Sequence, residues 1–65
     1  MRKLPCDNLQ AFKEGINHFY TVYEGKYAEG QHVILYNGDD QAKFRIEHII
    51  HFADSDVLGL RRAEE

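Results

Sequence analysis

The chain has 65 residues and one cysteine, so it forms no internal disulfide and has room for a single small domain, residues 1–65. It is 43% hydrophobic and 12% aromatic, which excludes a disordered tract, and a net charge of −3 excludes a surface that is basic throughout. A domain this short buries only about 60% of the surface its unfolded chain exposes, so stability rests on apolar packing or self-association.

Met1-Arg2-Lys3-Leu4-Pro5 begins basic, but no apolar stretch follows. Neither a signal peptide nor a membrane span is therefore expected. A cytoplasmic location without a membrane partner is the default, and the free cysteine agrees with it.

The first predicted element is a helix. Asp7 or Asn8 offers a capping oxygen, Leu9, Phe12 and Ile16 recur at helical spacing, and Gly15 provides the stop. His18 to Tyr23 is aromatic and β-branched and reads as a strand. On it Phe19, Thr21 and Tyr23 share one face; His18, Tyr20 and Val22 share the other. Residues 24–30, with Gly25 and Gly30, read as a loop.

The strongest pattern spans 31–53. Gln31 to Tyr36 reads as a strand, Asn37-Gly38 as a tight turn, and residues 42–52 as a long second strand. Strict alternation would turn Ala42, Phe44, Ile46, His48, Ile50 and Phe52 inward, and Lys43, Arg45, Glu47, Ile49 and His51 outward. Asp39 and Asp40 belong to a solvated tip. Asp54-Ser55-Asp56 is a capping-type cluster before Val57-Leu58-Gly59-Leu60, where one helical turn fits, and residues 61–65 read as a fraying end. The expected fold class is α+β: a short N-terminal helix, then a small antiparallel β-sheet or partial barrel with a hairpin at 31–53.

No catalytic machine is expected. Cys6 has Asp7 beside it, whose charge opposes the thiolate, and no nucleophile elbow or phosphate loop accompanies it. His48 and His51 lie three apart, so on a strand they point to opposite faces and do not chelate one ion. His18, His32 and His48 would share a site only if the strand registers cooperated. No metal site and no cofactor are expected. Asp54 and Asp56 have the spacing that starts a calcium loop, without the rest of that pattern.

Lys43 and Arg45 share a face of the long strand, Arg61 and Arg62 lie where the tail folds back, and Lys26 adjoins Tyr27. Basic groups beside tyrosines make a platform for phosphates and stacked bases. Lys26, Tyr27, Tyr20, Lys43 and Arg45 are therefore the candidate ligand-binding residues.

The order of phrases from Leu4 to Phe52 resembles the ASCH domains of the PUA-like β-barrel class. Leu4-Pro5 followed by Phe12-Lys13-Glu14-Gly15 echoes the family's opening phrase. Tyr27-Ala28-Glu29-Gly30-Gln31-His32-Val33-Ile34-Leu35 echoes its Y-x-x-G-D-x-(V/L)-x-L, and Phe44 to Ile50 resembles its next strand. The family's K-T-x-E-x-R strand is replaced by Ile16 to Tyr23, and Gln31 stands where an aspartate is usual. The resemblance thus implies a minimal binder of RNA or a nucleotide-like ligand, and no amidohydrolase residue carries over. The rival expectation is a regulatory or adaptor protein that binds a protein partner or itself as a homodimer. Its basis is the acidic charge, the aromatics and the pairable edge of a long hairpin.

Overall fold

The computed structural model describes residues 2–21 and 27–63. Over these, the chain runs β1 (Arg2–Pro5), α1 (Leu9–Lys13), β2 (His18–Thr21), β3 (His32–Asn37), β4 (Asp40–His51) and β5 (Asp56–Arg62). One five-stranded sheet results, in the order β1-β3-β4-β5-β2, curled into a half-barrel. The expected short helix and partial barrel are present, but strands dominate, so the fold is mostly β rather than clearly α+β.

The hairpin at 31–53 is present. β3 and β4 pair antiparallel from His32↔Arg45 to Asn37↔Asp40. Asn37 is the last strand residue, so the two-residue turn is Gly38-Asp39. Only Gly38 takes a positive φ there, 62°. Glycine at the first central position is the type II′ pattern, whose twist matches that of the strands it joins.

Two strands escape sequence periodicity. β1 pairs parallel with β3, Arg2↔Val33 to Pro5↔Tyr36. β5, where a helical turn and a fraying end were expected, pairs with both β2 and β4. Val57, Leu58 and Leu60 are buried, and that burial outweighs the weak local preference around Gly59. Residues 64 and 65 lie outside the described residues, as do Val22 and Tyr23 at the end of the expected second strand. α1 is shorter than the spacing predicts. Asn8 stands at its N-cap without a side-chain capping bond, and Ile16 lies beyond the helix, 52% exposed.

α1 closes the concave side of the half-barrel. Leu9 and Phe12 enter a core of Leu4, Val33, Leu35, Phe44, Ile46, Leu58 and Leu60. The Phe12 ring meets Phe19 of β2 at 5.8 Å and Phe44 of β4 at 6.2 Å, both edge to face. One helical side chain thereby ties strands from the two sides of β5.

Alternation along β4 breaks once. Ile46 pairs with Leu60 and His48 with Gly59, so Glu47 is an extra residue, a β-bulge. Before it, Ala42, Phe44 and Ile46 face the core; after it Ile49 packs against the core instead. Ile50 and Phe52, expected inside, are 44% and 53% exposed. The physical reason is that an added residue in a period-2 element swaps the faces of everything after it. Accordingly, Phe44→Ala should cost about 3–5 kcal/mol and Ile49→Ala about 2, while Ile50→Ala should cost under about 1. Urea midpoints of the three variants check the order, and a costlier Ile50 variant than Ile49 variant would remove the bulge from the description.

Candidate ligand-binding face

The convex face is assembled by register. Lys3, Ile34 and Lys43 form one cross-strand row, since Lys3 partners Ile34 and Ile34 partners Lys43. The next row is His32, Arg45 and Arg61. Strands about 4.8 Å apart place three side chains of one row within about 10 Å. Lys43 and Arg45 face away from the core because Ala42, Phe44 and Ile46 face into it. His32, Arg45, Arg61, Arg62 and Ala63 line a cleft of about 290 Å³. Arg62 reaches it from the inner face, where its guanidinium lies 5.8 Å from the Phe44 ring centre.

One acid tempers the row. Glu47 Oε2 accepts from Arg45 Nη2 at 3.1 Å and lies 3.6 Å from Arg61 Nη1. The bulge puts it there, since both residues of a bulge lean to the same side. Exposed acids at Asp7, Glu14, Glu29, Asp39 and Asp54 lie on loops, turns and the helix end. The net charge of −3 is therefore compatible with a basic face.

Of the predicted site residues, Lys43 and Arg45 stand together on this face. Tyr20 shares the face but lies at its far end, in a row with Val57 and Ile50. It is 74% exposed. Tyr27 is not on an exposed platform; it is buried in the core, with the Arg2 guanidinium 5.1 Å from its ring centre. Lys26 lies outside the described residues. The face gains Lys3, which sequence reasoning missed, His32, weighed only as a metal ligand, and Arg61, weighed as a tail residue that could fold back near Lys43 and Arg45. A short parallel pairing gives Lys3 no local signal. For Arg61 the signal was present, in Val57, Leu60 and the charged pair that follows.

The histidines separate as strand geometry requires. His48 and His51 point to opposite faces. His51 Nδ1 lies 2.9 Å from Oδ1 of Asp56, a carboxylate with no exposed surface. His18 and His48 come together, with ring centres 5.6 Å apart. His32 stays in the basic row, so the three-histidine grouping does not form. Among the described residues no group of three or more His, Cys, Asp or Glu is placed to hold a metal ion.

Cys6 is buried, and that burial pushes its thiol up; Asp7 adds to the shift and Asn8 opposes it. It is a poor nucleophile. Asp40 is exposed at the hairpin tip, as expected, and also accepts from Lys13 Nζ at 2.6 Å. This contact pins the hairpin to the helix. The same lysine holds the Asp40 carboxyl below its ordinary value.

No family model, no curated protein and no solved structure matches this chain. No helix among the described residues is long and apolar enough to cross a membrane.

Two outcomes follow from this geometry. Asp40 is depressed in the folded state, so the stability it gives is present above its unfolded value near about 3.9 and is lost as pH falls through the lower folded value. Asp40→Asn should flatten that acid limb in pH-dependent thermal melts and leave neutral-pH exposure of the basic face unchanged. The Tyr27 hydroxyl is buried with no hydrogen-bond partner among the described residues. Tyr27→Phe should be neutral or stabilising, by up to about 1 kcal/mol, because an unmet buried hydroxyl is removed at constant shape. A clear loss of thermal stability would return Tyr27 to the list of polar, functional tyrosines.

Proposed function

We propose that the domain is a non-catalytic binding module for RNA or a nucleotide-like ligand, with phosphates held on the convex sheet face. The observation that carries this reading is the cleft where His32, Arg45, Arg61 and Arg62 converge, with Lys43 in the next row. Guanidinium forks match phosphate oxygens two at a time. The cleft sits near the lower limit of small-ligand cavities, about 300 Å³, so it suits a phosphate or one nucleotide unit better than a bulky apolar ligand.

Tyr20 supports the same reading from a distance. An exposed ring at the end of a basic sheet face is a stacking surface for an unpaired base. The phrases shared with ASCH domains fall on β1, on the lead into β3 and on β4, the strands that supply Lys3, His32, Lys43 and Arg45. Lys26, outside the described residues, remains a candidate contact.

A second reading has its own observation. Tyr20, Ile50 and Phe52 are exposed near the β2 edge of the sheet. An aromatic and aliphatic corner of this kind fits a protein partner or a homodimer, in which these side chains are the anchors.

Anisotropy of a labelled single-stranded RNA at several salt concentrations tests the first reading. Affinity should fall steeply with salt, by about 0.7 logarithmic units per phosphate contact for each tenfold rise. The double variant Lys43→Glu, Arg45→Glu should lose binding by at least about tenfold, and Glu47→Gln should strengthen it, since a carboxylate leaves the row. Unchanged affinity in the double variant, or salt-independent binding, would defeat the phosphate reading. Self-association that is abolished by Tyr20→Ala and insensitive to salt would favour the second.

A further inference from the structure

His18 and His48 are not sequence neighbours, nor do their strands touch. β5 runs between β2 and β4, and one residue of it, Gly59, is the register partner of both histidines. The two imidazoles therefore flank the same glycine on the convex face. A Cβ on Gly59 would lie 2.2 Å from Cε1, 2.4 Å from Nε2 and 2.6 Å from Nδ1 of His48. The Cε1, Nε2 and Nδ1 atoms of His48 thus rest directly over Gly59, in the space its missing side chain leaves. Any other residue at 59 would fill the space this ring occupies.

We propose that His18 and His48 form a two-imidazole site for a borderline divalent cation, such as Zn²⁺, Ni²⁺ or Cu²⁺. Imidazole nitrogen is a preferred donor for these ions. The ring centres lie 5.6 Å apart with their planes at 64°, edge to face; at metal–nitrogen distances of about 2.0–2.1 Å one ion spans two rings at this separation once each turns a nitrogen toward it. Both residues are exposed, so an ion reaches them without opening the core.

The floor beneath His48 is the Gly59 backbone, against which that ring is packed. No third protein donor joins the pair among the described residues. The remaining coordination positions go to water or to an external ligand, as in open sites rather than closed structural ones. The nearest charges are the Arg45–Glu47–Arg61 group on one side, in which Glu47 offsets part of the positive field. Tyr20 lies two residues from His18 on the same face. The site is independent of the phosphate reading, since it uses none of the basic side chains.

Calorimetric titration of the full chain with Zn²⁺, and separately with Ni²⁺, tests the proposal, with histidine ring nitrogens followed by NMR. The expected result is one ion per chain, with the His18 and His48 ring signals moving together and those of His32 and His51 still. His18→Gln and His48→Gln should each weaken binding by at least about tenfold, since each removes one of two protein donors. His32→Gln and His51→Gln should leave it unchanged. Affinity should fall as the pH is lowered, because the ion competes with protons for the imidazoles. Absence of binding at millimolar metal, or binding that survives both His18→Gln and His48→Gln, or ring signals that report His32 or His51 instead, would overturn it. Circular dichroism of each variant shows that a loss is not unfolding.

Discussion

Between the rows Ile46–Leu60 and His48–Gly59, β4 carries one residue more than β5. This single mismatch sets the identity of both faces of the sheet. Without Glu47 as an extra residue, His48 would enter the core and Ile49 would be exposed. With it, Ile49 is tucked against the core, His51 turns toward buried Asp56, and His48 lies over Gly59 beside His18. The bulge also aims Glu47 at Arg45 and Arg61. A period-2 element has no gradual way to change faces, so one insertion performs the whole exchange.

Charge is organised by the same register. The chain is acidic overall, yet Lys3, Lys43, Arg45 and Arg61 fall on adjacent rows of one face. Strand pairing, not composition, makes that concentration. Most of the exposed acids lie on loops and the helix end, so the basic rows coexist with a net charge of −3. In the core, Phe12 lies edge-on to Phe19 and Phe44 and ties the helix across the curl.

The β3–β4 hairpin was legible because its cause is local. Alternating apolar residues and a glycine turn lie within one short stretch of chain. The candidate residues Lys43 and Arg45 were legible for the same reason, being two apart on a strand whose inner face was plain. Tyr27 misled, since an aromatic beside glycines in a polar loop gives no sign that its ring will be drawn under Arg2 into the core. β1 and β5 were missed because their partners are remote in sequence. Arg2 to Pro5 becomes a strand only against β3, and Asp56 to Arg62 only between β2 and β4.

The amino-acid sequence by itself determined a small domain without a disulfide, one well-marked hairpin, and a supply of cations and histidines with no local pattern of a catalytic or metal motif. Tertiary structure alone decided which of those residues meet. His32, Arg45 and Arg61 form a row, and His18 and His48 share one glycine, only once non-adjacent segments are paired in a particular register. Period-2 alternation reports which face a side chain takes relative to its own strand. It carries no information on which strand lies alongside, or on where a bulge will exchange the two faces.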